Sequence, residues 1–241
     1  MAFSIPFTLP VAGLWQAYAN SNAMGKIIVW VQMVLSIVVW SVMLGKWVEL
    51  RGIDKTAQYF RKLFTKSPTL LDLYFQRKRA NNPLVMIYLV ACEKLVSFLS
   101  PGVAATSTGI EGRRLSAGKI DLVKGVAEEA LSDQLIVVDS NMWLLAIGSS
   151  LAPLIGLLGT VWGILDAFQS MGAKGSALLS DVAPGLSSAL LTTVVGLFVA
   201  IPSAGGYNFL LEKTRRIGAY LDGFTDEFLG RLKDEFSEES R

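Results

Sequence analysis

Histidine is absent from this chain of 241 residues, and Cys92 is its single cysteine. A lone cysteine cannot form an intrachain disulfide, and without histidine the chain cannot build Cys/His metal clusters, Ser-His-Asp triads or histidine general bases. Most catalytic schemes of soluble enzymes depend on one of these groups. We therefore predict a protein that is not an enzyme and that has no catalytic residues, metal site or cofactor.

Charge is scarce as well. Charged residues make up 17% of the chain and apolar residues 52%, whereas soluble domains contain roughly 25% and roughly 45–50%. The net charge is +2 and there is no dense tract of Lys and Arg, so the sequence argues against nucleic acid as a partner. This composition is typical of a membrane protein.

Three stretches without a charged residue are long enough to cross a bilayer: 27–45, 140–165 and 182–211. A helix of about 20 apolar residues spans a hydrocarbon core of roughly 30 Å. A helix also satisfies its own backbone hydrogen bonds, which lipid cannot do. The sequence therefore predicts an all-α protein with three transmembrane helices.

The distribution of charge sets the expected orientation. Residues 46–139 contain 14 Lys and Arg against 10 Asp and Glu, whereas residues 1–25 contain no charge. Because basic segments remain in the cytoplasm, we place 46–139 there, the N-terminus outside and, after three spans, the C-terminus inside. The uncharged start lacks the basic region that opens a signal peptide, so we expect it to be retained.

Helices are also predicted outside the spans. Asn82 and Pro83 are typical of an N-cap and a first helical residue, opening the helix PLVMIYLVACEKLVSFL, whereas residues 101–118 predict a loop rich in Gly, Ser and Thr. Two apolar stripes at helical spacing adjoin the second and third spans, with no helix-breaking residue between stripe and span. We therefore expect both membrane helices to continue, without a break, into the cytoplasm, where each stripe needs a packing partner. The stripes are Val123, Val126, Leu131, Leu135 and Val138, and Ile217, Leu221, Phe224, Phe228 and Leu232.

Small residues gather on one face of the second span and one face of the third. Such faces let membrane helices approach closely, because lipid provides no hydrophobic drive for helix association. We therefore predict that the two helices pack through these faces, each of which carries one threonine. At about 100° per residue the faces contain Gly148, Ala152, Gly156, Gly159, Thr160 and Gly163, and Ala189, Thr193, Gly196, Ala200 and Ala204.

The two threonines have two interpretations at this point. A threonine in a membrane helix commonly bonds the carbonyl three or four residues earlier and does nothing else, in which case the small faces serve packing alone. The other interpretation is a polar path through the membrane. Two prolines have structural interpretations: Pro202 predicts a tolerated kink in the third span, and Pro184 predicts the start of that helix.

Two segments, PLIGLLGTVWGI in the second span and VAPGLSSALLTTVVGLFVAIPSAGGYN in the third, resemble the signatures of the TolQ/ExbB/MotA proton-channel family. The resemblance is closest to the three-span TolQ/ExbB branch and extends to its topology. It implies a bacterial inner-membrane pentamer around a dimer of single-span TolR/ExbD-like partners, driven by ion flow. A TolA/TonB-like protein is a further partner that the resemblance implies.

The resemblance also implies roles for individual residues. The pore threonine of the family's G-T-V-x-G motif falls on Thr160, and the threonine of its third span falls on Thr193. The ion-carrying aspartate lies on the partner's helix. TolQ and ExbB usually have a membrane glutamate where this chain has Ser188, and a serine cannot relay charge at neutral pH. Asp166 has two interpretations, a charge at the outer mouth or a solvated helix end. The candidate ion-pathway residues are Thr160, Thr193, Ser188 and Asp166.

With an inner-membrane location, the chain is expected to divide into seven segments. They are a periplasmic N-terminal arm (1–25), transmembrane helix 1 (26–46), a cytoplasmic helical segment (47–139), transmembrane helix 2 (140–168), a periplasmic loop (169–183), transmembrane helix 3 (184–211) and a cytoplasmic C-terminal helix (212–241).

Two functional classes remain open from the sequence. In an ion-driven stator, the threonines line a polar seam that receives the partner's aspartate. The resemblance implies the proton-driven type, in which proton motive force does work at the outer membrane. In a structural membrane scaffold, the same faces only pack helices and nothing is conducted. A MotA-like stator for motility is an alternative within the first class, because the MotA branch also lacks the membrane glutamate.

Overall fold

The computed structural model describes residues 10–19, 21–75, 82–99, 114–174 and 179–237. Within these ranges the chain is helical, apart from short connections and one bridge between Leu115 and Ser237. The predictions of an all-α fold and of three helices long and apolar enough to cross a membrane are confirmed. The helices are α1 (Pro10–Ala19), α2 (Ala23–Lys66), α3 (Asp72–Phe75), α4 (Pro83–Leu99), α5 (Ala117–Asp139), α6 (Met142–Lys174) and α7 (Leu179–Phe236).

The chain divides into two compact units, and α2 and α7 supply residues to both. Unit 1 comprises residues 1–45 and 141–209, and unit 2 comprises residues 46–140 and 210–241. Unit 1 contains the apolar spans and leaves large side chains such as Trp30, Phe198 and Ile201 exposed. Exposed apolar surface on this scale needs lipid or another protein to cover it.

The core of unit 2 is aromatic. Five rings from α2, α4 and α7 are buried and contact one another with centroids 5.1–6.4 Å apart. Most pairs meet edge to face, an arrangement that the quadrupoles of aromatic rings favour. One cluster therefore joins three helices, and its members are Phe60, Phe64, Tyr88, Phe224 and Phe228.

Two predictions for the segments now in unit 2 are confirmed. The helix α4 begins at Pro83, and the side-chain oxygen of Asn82 accepts a hydrogen bond from the amide of Leu84 at 2.9 Å. The apolar stripe after the third span is buried in full: Ile217, Leu221, Phe224, Phe228 and Leu232.

The apolar stripe predicted before the second span is wrong in part. Val123 and Val138 are buried, but Leu135 is 36% exposed. The buried face of α5 includes Ala127 and Ala130, two small residues that the apolar pattern did not include. Alanines bury little area, so they fill a helix interface without marking it strongly in the sequence.

Two helix boundaries also differ from the predictions. α5 does not continue unbroken into α6, because α5 ends at Asp139 and Asn141 adopts a left-handed backbone with φ of 65°. Asparagine is one of the few residues besides glycine that adopt this conformation readily, so no Gly or Pro was needed for the break. Pro184 lies inside α7 rather than at its start. Most of the loop predicted over 101–118 lies outside the described residues.

The hydroxyl of Tyr88 links the aromatic cluster of unit 2 to two backbone groups through hydrogen bonds. It donates to the carbonyl of Leu70 at 2.8 Å and accepts from the amide of Tyr74 at 3.0 Å. Burial raises the pKa of Tyr88, so the hydroxyl remains a neutral donor at physiological pH.

The Tyr88→Phe variant should keep the packing of the ring while leaving both backbone groups without this partner. We expect the free energy of unfolding to fall by about 1–3 kcal/mol, measured as a lower thermal midpoint of the purified protein in detergent. Tyr59→Phe is the matched control, because Tyr59 is 62% exposed. Equal midpoints for Tyr88→Phe and the control would contradict the role of the buried hydroxyl.

Candidate functional site

The site begins with the close approach of α6 and α7. A Cβ added at Gly163 would lie 2.7 Å from the Cβ of Ala189, and one at Gly196 would lie 2.7 Å from the carbonyl oxygen of Ala152. Such distances are too short for real side chains, so the two backbones meet where only glycine fits. Most of the residues that the sequence placed on these packing faces are buried, whereas Thr160, Thr193 and Ala204 are half-buried. The buried ones are Gly148, Ala152, Gly156, Gly159, Gly163, Ala189, Gly196 and Ala200.

This approach brings the two predicted threonines together. The hydroxyls of Thr160 on α6 and Thr193 on α7 are hydrogen-bonded to each other. Thr160 also lies 3.2 Å from the carbonyl oxygens of Gly156 and Ala189, and Thr193 lies 3.1 Å from that of Gly156. A third hydroxyl, from Thr192, lies 3.1 Å from the same Gly156 oxygen and 2.7 Å from that of Ala189.

We call these three hydroxyls and the carbonyl of Gly156 the hydroxyl cluster. Its members differ in access, since Thr192 is fully buried whereas Thr160 and Thr193 are partly exposed. A carbonyl oxygen has two lone pairs, so all three hydroxyls cannot donate to Gly156 with good geometry at once. Each hydroxyl has another acceptor within reach, so the cluster has several hydrogen-bonding arrangements.

Ser188 lies on α7 about one turn before the threonines, but its hydrogen bond goes elsewhere. Its hydroxyl is 2.6 Å from that of Ser21, which lies between α1 and α2. Because Ser21 donates to the carbonyl of Ala17 at 2.9 Å, Ser188 is the donor in the pair. Ser188 is 5% exposed, so the structure places it in a contact with the N-terminal segment.

Asp166 likewise bonds to the segment that leads into α2. Its carboxylate accepts a hydrogen bond from the side-chain amide of Asn22 at 3.0 Å. The side-chain oxygen of Asn22 in turn accepts from the backbone amide of Gly25 at 2.7 Å, within the first turn of α2. Asp166 is exposed, so the structure does not bring it into the hydroxyl cluster.

Sequence reasoning missed two polar residues at this site, Thr192 and Gln32. Gln32 on α2 is fully buried, and its side-chain nitrogen lies 3.5 Å from the carbonyl oxygen of Ala152 on α6. A signal for it was present, because a primary amide in the uncharged stretch 27–45 is expensive in lipid and therefore marks a polar contact. Thr192 directly precedes Thr193, and only the position of α6 shows that both hydroxyls reach one carbonyl.

Pro202 lies within α7, as the sequence required, and the bend it was expected to cause stays a prediction. Proline has no backbone N–H, so the carbonyl of Phe198 loses its usual partner four residues later. The neighbouring Ser203 ties this region to α6 instead, donating to the carbonyl of Leu145 at 2.9 Å.

The chain was compared with known proteins. The sequence profile of the MotA/TolQ/ExbB proton channel family matches residues 103–222, which include α6 and the hydroxyl cluster. The chain belongs to this family. It is therefore a multi-pass membrane protein.

Members of both named branches are among its relatives. The biopolymer transport protein ExbB of Xanthomonas campestris pv. campestris is 38% identical over 138 residues, which are 57% of this chain and 52% of the relative. The Tol-Pal system protein TolQ of Pseudomonas aeruginosa is 27% identical over 233 residues, 92% of this chain and 94% of the relative. The chain thus matches about half the length of the Xanthomonas ExbB and nearly all of the Pseudomonas TolQ.

The contact between Gly163 and Ala189 gives a direct test of the packing. In the Gly163→Ala variant the new methyl group would meet Ala189 at 2.7 Å, so the helices must separate. We expect this overpacking to lower stability by about 1–3 kcal/mol, measured as a lower thermal midpoint in detergent.

Gly205→Ala is the matched control, because a Cβ at Gly205 meets no atom of the described residues within 4 Å. The control should retain the midpoint of the wild type or exceed it, since alanine favours the helix. A Gly163→Ala protein as stable as the control would show that α6 and α7 do not meet at this position.

Proposed function

We propose that this chain is the channel subunit of an ion-driven motor of the TolQ/ExbB type in the bacterial inner membrane. In this proposal the chain forms a pentamer around a dimer of TolR/ExbD-like single-span proteins, each of which carries the ion-binding aspartate. A TolA/TonB-like protein is the further partner through which proton motive force does work at the outer membrane. The exposed apolar side chains of unit 1 would face lipid and the neighbouring subunits.

The observation that carries the proposal is the hydrogen-bonded pair of Thr160 and Thr193. Both side chains are partly exposed, so a carboxyl group of a partner helix can reach them, whereas Thr192 is enclosed. An ionised carboxylate needs donors, and a protonated one needs an acceptor for its O–H. A hydroxyl that can turn between acceptors supplies both.

The desolvation cost explains why such neighbours matter. A carboxylate inside the membrane is expensive unless polar groups replace its water. Hydroxyls lower this cost without adding a charge of their own, so the acid can bind and release a proton within the membrane. The proposed pathway therefore needs no ionisable residue at the hydroxyl cluster itself.

A non-conducting scaffold is the second candidate. It is favoured by the bonds from Thr160, Thr192 and Thr193 to backbone carbonyls, which packing alone would also produce. A MotA-like stator for motility is a variant of the first candidate, because Ser188 stands in place of the usual membrane glutamate and the MotA branch also lacks that glutamate.

Replacing Thr160 or Thr193 by valine separates these candidates. Valine has nearly the shape of threonine but lacks the hydroxyl, and one hydrogen bond in a membrane contributes only about 0.6–2 kcal/mol. We expect both variants to assemble with the partner and to lose proton flux in proteoliposomes. Native mass spectrometry of the co-purified complex establishes that assembly is intact.

Thr56→Val provides the control for these measurements. Thr56 is a half-buried, back-bonding threonine of α2 in unit 2, with its hydroxyl 3.0 Å from the carbonyl oxygen of Gly52. Its variant should conduct like the wild type. Wild-type flux in both Thr160→Val and Thr193→Val would refute the channel and favour the scaffold.

The proposed orientation has a separate test. The excess of basic residues in 46–139 places that segment in the cytoplasm, so a reporter fused after Arg241 or inserted near Gly109 should report cytoplasm. A reporter near Lys174 should report the periplasm. Cleavage of the 103–118 segment by a protease added to the periplasm would reverse the assignment.

A further inference from the structure

The amide of Gln32 occupies a notch that two glycines create. A Cβ added at Gly156 would lie 3.3 Å from its nitrogen, and one at Gly196 would lie 2.8 Å from it. Larger residues at these two positions would therefore displace the side chain. The nitrogen lies 3.5 Å from the carbonyl oxygen of Ala152, one helical turn before Gly156. Gln32 thus reaches from α2 to the part of α6 that bears the hydroxyl cluster.

The other half of the amide is unpaired. Oε1 of Gln32 is buried and has no hydrogen-bond partner among the described residues. An acceptor without a donor in such a place is destabilising, so an amide that served only to pack helices would be better replaced by an apolar side chain. Gln32 is 0% exposed within a single chain, which keeps the side chains of a second protein away from it.

The donor for Oε1 must therefore be small or already nearby. The hydroxyl cluster adjoins one of the same two glycines, and three hydroxyls lie 3.1–3.2 Å from the one carbonyl oxygen of Gly156 while each has another partner within reach. Hydroxyls that can change partners and an amide whose oxygen is unpaired thus adjoin the same glycine.

We propose that Gln32 is a positioning residue of the hydroxyl cluster. Its nitrogen holds the Ala152 carbonyl, and its Oε1 accepts a hydrogen bond from an O–H group, either a water molecule or a threonine hydroxyl that has turned from Gly156. This assignment rests on the proposed channel function. It makes α2 the third helix of the pathway and gives the hydroxyls an acceptor to use while Thr160 and Thr193 serve the partner's carboxyl group.

The first test replaces the amide by an apolar side chain of similar length. Gln32→Met, co-purified with the partner and measured in proteoliposomes, should assemble and lose proton flux roughly three- to thirtyfold, the loss expected for one hydrogen bond in a membrane. Gln58→Met is the matched control, because Gln58 is an exposed residue of α2 in unit 2 whose amide bonds Asp54. The control should conduct like the wild type.

The second test uses Gln32→Glu, which remains informative if the Met variant fails to assemble. A neutral glutamic acid retains a carbonyl acceptor and an O–H donor, whereas the ionised form has no donor. Flux of this variant should approach the wild-type value at low pH and fall as the pH rises, relative to wild type at each pH. Ala152, Gly156 and Gly196, which lie against Gln32, carry no titratable side chain, so the added pH dependence would belong to the new carboxyl group.

The outcomes separate this inference from the proposed function. Wild-type flux in Gln32→Met, together with loss in the two threonine variants, would overturn the role of Gln32 and leave the channel standing. Wild-type flux in the threonine variants would overturn the channel itself. In a high-resolution structure of the complex, a water or a threonine hydroxyl within hydrogen-bond distance of Oε1 would identify the donor. The absence of both would overturn the assignment.

Discussion

The close contact between the backbones of α6 and α7 is the constraint on which the site depends. In lipid, burial of apolar surface contributes little to helix association, so packing and hydrogen bonds must hold the helices together. Glycines at 156, 159, 163 and 196 allow that packing, and the same approach places the Gly156 carbonyl within 3.1 Å of hydroxyls on the neighbouring helix. A wider separation would weaken the packing and would also move the three hydroxyls apart. The stability of the helix pair and the geometry of the hydroxyl cluster therefore depend on the same contact.

The two units differ in the size of their buried side chains, and α7 shows the difference because it contributes to both. In unit 1 many of its buried positions are small, such as Ala189, Gly196 and Ala200, whereas in unit 2 most are large, such as Phe224 and Leu232. The hydrophobic effect favours the transfer of large apolar side chains out of water into a core, whereas lipid already solvates such side chains, so their burial in the protein gains less there. The composition of the buried face therefore changes along one helix in accordance with its surroundings.

The sequence predicted those features that depend on one helix at a time. Uncharged runs located the spans, Asn82 and Pro83 located the start of α4, and helical spacing placed Thr160 and Thr193 on small faces. Apart from the small faces, contacts that depend on which helices meet were missed. The contact of Gln32 with Ala152 joins residues 120 positions apart, and the bond between Ser188 and Ser21 joins residues 167 apart. Periodicity carries no information about such pairs, and the break at Asn141 lacked the usual glycine or proline.

The neutral character of the hydroxyl cluster is what a reversible ion site on a separate helix requires. A carboxylate built into α6 or α7 would need permanent compensation for its desolvation, which a hydroxyl does not. In the proposed complex, with the acid on a partner, the chain would fold around neutral hydrogen bonds, and the ionisable group would meet them only after assembly. Three hydroxyls near one carbonyl would then have a function under the proposal, because a hydroxyl with more than one partner within reach could turn to an incoming carboxylate while the other hydrogen bonds of the cluster remain.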